Sequence, residues 1–97
     1  MNEALNSFLL DGKVAIVTGA SSGIGEQTVK LFSRLGASVV AAARREERLK
    51  DLANKYPNVM PIKCDVGDEN DCNKLVDAVF KEYGRIDILI NLSLIHI

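Results

Sequence analysis

The chain has 97 residues, a formal net charge of −1, and a composition that is 47% hydrophobic and 26% charged. That makes one globular domain at most and offers no strong field for nucleic acid or for a membrane surface, so neither is expected as a partner. The apolar runs are far too short to span a bilayer, and Met1 to Leu10 lacks the basic start of a signal peptide, so a cytoplasmic protein is expected.

Residues 1–10 form an N-terminal extension, loose over its first seven residues, and the domain proper is expected over residues 11–91. From Lys13 onward short β-branched runs alternate with helical periodicity, the pattern of a parallel sheet with crossover helices. The first strand is Val14–Thr18. A helix over residues 23–35 follows, with Ile24, Thr28, Leu31, Phe32 and Leu35 on one face and Gly36 stopping it. Ser38–Ala43 is the second strand. The next helix, residues 46–56, is expected to bury Leu49, Leu52 and Ala53 before Pro57 ends it.

Residues 59–64 read as a third strand, and Pro61 within it points either to a sheet edge or to a strand that starts after that residue. Asp68 has the chemistry of an N-cap for a helix that turns Leu75, Val76, Val79, Phe80 and Tyr83 inward and stops at Gly84. Residues 86–91 form a fourth strand, apolar enough to be covered on both faces. Right-handed crossovers then give the spatial order 3-2-1-4, a partial doubly wound α/β sheet of the Rossmann type. Cys64 and Cys72 have neither metal-site nor redox-motif spacing and are expected to be small packed side chains; no metal site is expected.

The segment Thr18-Gly19-Ala20-Ser21-Ser22-Gly23-Ile24-Gly25 joins the first strand to the first helix. Gly19 permits the tight turn, Gly23 presents no Cβ to a pyrophosphate, and Gly25 lets the helix pack closely on the sheet. Unpaired N–H groups and the positive end of the helix dipole favour a phosphate there. The spacing is G-x-x-x-G-x-G, and Glu26 stands where a Walker loop needs lysine. A glycine trio alone fits a plain helix-start turn; the strand before it and the helix after it favour a nucleotide cradle.

Arg44, Asp65 and Asn91 fall at the ends of the second, third and fourth strands, beside this loop. An NAD site usually carries an acidic residue after its second strand, where this chain has Ala43-Arg44-Arg45. Arginine there would pair with the 2′-phosphate of NADP, with Ser21 and Ser22 as further donors, so NADP is expected in preference to NAD. The bland alternative for Arg44 and Arg45 is a solvated helix start neutralised by Glu46 and Glu47. Asp65-Val66 can meet the edge of an adenine ring or simply form an Asx-turn. Asn91 can face the cofactor or tie neighbouring strands.

These motifs, spanning residues 11–91, resemble the N-terminal half of a classical short-chain dehydrogenase/reductase. Thr18 to Gly25 is similar to that family's T-G-x-x-x-G-I-G loop, with Ile24 in its place; Asp65-Val66 is similar to its adenine-contacting pair; Asp87-Ile88-Leu89-Ile90-Asn91 is similar to the strand leading into N-N-A-G. Ala43-Arg44 resembles the NADP-preferring branch. The resemblance implies reversible hydride transfer between the nicotinamide and a small-molecule carbonyl or alcohol, of the ketone or 3-oxoacyl reductase type, and a homo-tetramer or dimer for the full-length protein.

The departure begins at Leu92, where the family would continue Asn-Ala-Gly. The family's tyrosine and lysine, a phenol lowered in pKa by a nearby ammonium, have no counterpart, because neither Tyr56 nor Tyr83 has a lysine four positions on. No catalytic residue is therefore assigned, and the chain alone is expected to be inactive. A non-catalytic NADP(H)-binding or sensing module is the alternative, which a downstream Tyr-x-x-x-Lys would rule against. A methyltransferase-type nucleoside site would need an acidic ribose partner after the second strand, against Ala43-Arg44.

Residues 92–97, Leu-Ser-Leu-Ile-His-Ile, are what the codons CTG TCT CTT ATA CAC ATC spell, which resemble the end of a transposase sequencing adapter. They are expected to be a non-native read-through tail, so His96 is neither ligand nor base. An apolar sheet edge left without a neighbour makes poor solubility an expectation as well.

Overall fold

The structure is a computed structural model and describes residues 9–92. The loose start expected over residues 1–7 lies outside the described residues, as do residues 93–97 of the tail expected over residues 92–97, whereas Leu92 is described and its N–H donates to the Thr18 carbonyl at 3.2 Å. The element order is β1 (Val14–Thr18), α1 (Gly23–Arg34), β2 (Ser38–Ala43), α2 (Glu46–Lys55), β3 (Val59–Lys63), α3 (Glu69–Tyr83) and β4 (Ile88–Asn91). The four strands form one parallel sheet in the order β3-β2-β1-β4. Pro61 sits on β3, an edge strand, where a missing ladder donor is tolerated.

Alternation along each strand divides the core into two layers. Val17, Val39, Ala41 and Ala43 pack with Val29 of α1 and with Leu49 and Leu52 of α2. On the other face Val14, Ile16, Val40 and Ala42 pack with Leu75 and Val79 of α3. Every residue of β1 is buried, as expected of a strand flanked by β2 and β4 and covered on both faces. Leu10 packs against the first layer and its N–H donates to the Leu35 carbonyl at 2.8 Å, so the end of the N-terminal extension is already part of the fold.

Three expectations about faces and bounds are corrected. In α1 the buried residues are Gly25 and Val29, while Ile24 is 69% and Leu31 53% exposed. The helix is turned so that its glycine, not its apolar stripe, meets the loop. In α3 only Leu75 and Val79 are buried; Val76 and Phe80 are 40% and 49% exposed. Strand β4 starts at Ile88 rather than Ile86, and Leu89 is exposed, because among the described residues β4 has a neighbour on one side only. The Asp87 carboxylate takes the Val14 N–H at 2.8 Å, which replaces a ladder bond and marks where β4 begins.

Smaller shifts are α1 ending at Arg34, α2 at Lys55 and β3 at Lys63, each one residue earlier than expected, and Ala53 half-buried rather than buried. Among the described residues no helix is long and apolar enough to cross a membrane.

Candidate functional site

Four parallel strands deliver their carboxyl ends to one edge of the sheet, and the order reverses at β1, where crossovers to the two sides leave a crevice. A cleft of about 920 Å³ opens there. One wall is the glycine loop, with Gly19, Ser21, Ser22, Gly23 and Ile24. The opposite wall is built from Arg44 and Arg45 after β2, and from Asp65, Val66 and Gly67 after β3. Segments about 20 positions apart in sequence are thus brought to one cavity by topology alone.

The loop geometry follows from its glycines and one serine. Gly19 has φ +69°, the left-handed conformation that turns the chain off β1. Ser22 N-caps α1: its Oγ accepts the Gly25 N–H at 3.0 Å and donates to the Gly19 carbonyl at 2.8 Å. A Cβ on Gly25 would run into the Gly19 carbonyl oxygen and lie 2.7 Å from the Ala20 Cα, so only glycine fits beneath the loop. Gly25 therefore shapes the cleft from below rather than lining it. At Gly23 an added Cβ would meet nothing within 4 Å, so the loop is open on that side.

Ser22 differs from its expected part. Its hydroxyl proton is engaged by Gly19, so as placed it holds the loop instead of offering a donor to a phosphate. Ser21 stays at the cleft wall. Ala20 N–H donates to the Ala42 carbonyl at 3.1 Å, which fixes the loop against the end of β2.

Arg44 and Arg45 are exposed, and among the described residues neither takes part in an ion pair. Glu46, expected as a neutralising neighbour, pairs with Lys50 at 3.3 Å instead. Asp65 makes the Asx-turn weighed for it, its Oδ1 accepting the Gly67 N–H at 2.9 Å, and it still lines the cleft beside Val66. Asn91 does not line the cleft. Its Oδ1 accepts the Thr18 hydroxyl at 2.8 Å, which ties β4 to β1.

Arg48 is a residue the sequence did not single out. Its Nη1 lies 3.6 Å from Glu26 Oε1 and donates to the Ser21 carbonyl at 3.5 Å, so α2 reaches across to the glycine loop. The signal available was its position one turn after Arg45. Cys64 was also passed over as a cleft residue. It is 2% exposed, and its thiol is pushed up to about 11 by burial first, then by Cys72 and by the carboxylates of Asp71 and Asp65. Burial likewise raises the Tyr83 phenol, the opposite of what a general base needs. Among the described residues no group of side chains could hold a metal ion.

The chain matches the family described as short chain dehydrogenase over residues 13–93. It is 41% identical over 95 residues to "11-beta-hydroxysteroid dehydrogenase B" of Sesamum indicum, an alignment covering 93% of this chain and 26% of that protein. Among solved structures, hydroxysteroid dehydrogenase from Escherichia coli superposes with a TM-score of 0.80 at 31% identity, over 87% of this chain and 36% of the other. The 3-ketoacyl-(acyl-carrier-protein) reductase from Brucella melitensis, complexed with NADH, does so with a TM-score of 0.79 at 36% identity, over 82% and 33%. The chain spans about a quarter to a third of the length of these relatives.

Proposed function

The chain belongs to the short-chain dehydrogenase family, and on that premise we propose that its cleft holds the adenosine and pyrophosphate of a nicotinamide dinucleotide, NADP in preference to NAD. The observation that carries this is the meeting of a glycine-rich loop at a helix N-terminus with two exposed arginines in one cleft. Gly23 leaves room for the pyrophosphate over the first turn of α1. Arg44 and Arg45 line the cleft and would pair with a ribose 2′-phosphate, and no carboxylate occupies the end of β2 to take the 2′-hydroxyl of NAD instead.

When bound, such a cofactor supplies or accepts a hydride at its nicotinamide ring. The residues of this chain would bind and orient it: Asp65 and Val66 at the adenine edge and the glycine loop at the phosphates, while Asn91, accepting the Thr18 hydroxyl, ties β4 to β1. The substrate class is a carbonyl or alcohol, in keeping with the hydroxysteroid dehydrogenase and ketoacyl reductase relatives. Neither Tyr56 nor Tyr83 has a lysine four positions on to serve as an acid/base pair, and we read these residues as the cofactor half of a reductase, cytoplasmic and homo-oligomeric as a full-length protein. The Brucella neighbour is complexed with NADH, so the preference for NADP rests on Arg44 and Arg45 of this chain alone.

Arg44→Asp tests the assignment. A hydrogen-bonded charge pair at a half-desolvated site is worth about 1–3 kcal/mol, so the NADP-to-NAD affinity ratio should fall roughly ten- to a hundredfold. An unchanged ratio would remove Arg44 from the site.

A further inference from the structure

The cleft is chemically uneven along the sheet edge. Among the described residues its charged lining is Arg44, Arg45 and Asp65, all exposed and all on the β2 and β3 side. On the β4 side the lining is Leu92, a half-buried apolar residue that packs against the first core layer. The polar groups at that end are spent on one another. The Thr18 hydroxyl donates to Asn91 Oδ1 at 2.8 Å, and the Leu92 N–H donates to the Thr18 carbonyl at 3.2 Å, which closes the last rung between β1 and β4. Thr18 is buried, and neither it nor Asn91 lines the cleft.

Resting on the dinucleotide reading of this cleft, we propose that the chain recognises 2′-phosphorylated adenosine nucleotides as a class, and that the nicotinamide of NADP adds nothing to its affinity. The two ends of the ligand differ in what they can exchange for water. The adenosine end brings a 2′-phosphate for the arginines, a pyrophosphate for the glycine loop and a ring edge with a donor and an acceptor for Asp65 and Val66. The other end brings a carboxamide and, in the oxidised cofactor, a positively charged ring. Against Leu92 these would give up water and gain no hydrogen-bond partner, which is a net cost, so the nicotinamide stays in solvent. Affinity is then set at one end of the molecule.

Calorimetric titration of the full chain with NADP, 2′-phospho-ADP-ribose, ADP-ribose and nicotinamide mononucleotide separates these contributions. NADP and 2′-phospho-ADP-ribose differ only in the nicotinamide, and their dissociation constants should agree within about fivefold. ADP-ribose, which lacks the 2′-phosphate, should bind roughly ten- to a hundredfold more weakly than its phosphorylated form, and nicotinamide mononucleotide should show no saturable binding. Arg44→Asp should weaken NADP and 2′-phospho-ADP-ribose by the same factor, to within about twofold. NADP more than about fivefold tighter than 2′-phospho-ADP-ribose, saturable binding of nicotinamide mononucleotide, unequal losses in Arg44→Asp, or ADP-ribose as tight as its phosphorylated form would each overturn this inference while leaving a dinucleotide in the cleft. Binding of none of the ligands would overturn the dinucleotide reading, and this inference with it.

Discussion

Gly25→Ala and Gly23→Ala make the same chemical change two residues apart and should have opposite consequences. At Gly25 the new Cβ meets the Gly19 carbonyl oxygen, the Ala20 Cα at 2.7 Å and the Gly19 carbonyl carbon at 2.9 Å, all backbone atoms of the loop itself. Overpacking of this kind costs about 1–3 kcal/mol, and the backbone origin of the clash puts it at the upper end. Alanine's better helix propensity returns about 1 kcal/mol, leaving a net loss of about 2 kcal/mol, roughly thirtyfold in the folding equilibrium. At Gly23 the Cβ meets nothing and the residue has no left-handed φ, so stability should hold or rise by up to about 1 kcal/mol. That methyl, however, occupies the space assigned to the pyrophosphate. Urea unfolding followed by circular dichroism measures the first effect, and nucleotide binding by calorimetry the second. The reasoning predicts a Gly25→Ala chain that unfolds at lower urea, and a Gly23→Ala chain that keeps its midpoint while its NADP affinity falls at least about tenfold. A Gly25→Ala chain as stable as its parent, or a Gly23→Ala chain that binds undiminished, would refute it.

Thr18→Val removes the hydroxyl that donates to Asn91 and should cost about 1 kcal/mol of stability, measured by the same urea titration. The Asp87 carboxyl is held below its ordinary pKa by the Arg85 hydrogen bond and then by the Val14 N–H. Since the folded value lies below the unfolded one, its contribution is complete above the unfolded pKa and is lost as pH falls through the folded pKa; Asp87→Asn should flatten the acid limb of a stability-against-pH profile. Arg48→Ala frees the Ser21 carbonyl and should weaken nucleotide binding about two- to fivefold with little change in the NADP-to-NAD ratio, since the pair with Glu26 is exposed. Replacing Phe80 and Leu89 by lysine should raise the soluble fraction and shift sedimentation toward monomer, because both are exposed apolar side chains.

The strands β1 and β2 were legible residue for residue, because continuous apolar runs bounded by turn residues leave little freedom. The order of the sheet followed from handedness. Faces of helices were less legible: Ile24 and Leu31 carry more hydrophobic signal than Gly25, yet close approach to the loop decides how α1 is turned, and a glycine leaves no mark in a hydrophobic pattern. Val76 and Phe80 were drawn inward by periodicity on a helix whose buried stripe, Leu75 and Val79, is narrow. The start of β4 escaped because a side chain, Asp87, replaces a backbone partner. At the cleft, residues set by strand ends could be placed together from topology. A contact that depends on two helix starts meeting, Arg48 with Ser21, could not.

The central claim is that the glycine loop and the ends of β2 and β3 form one dinucleotide site. The direct measurement is a titration of the ¹⁵N-labelled chain with NADP, following amide chemical shifts. Saturable changes clustered at Gly23, Ile24, Arg44, Asp65 and Val66, and weaker changes with NAD, are the predicted result. No saturable change with either nucleotide, or changes confined to residues away from this cleft, would contradict the account.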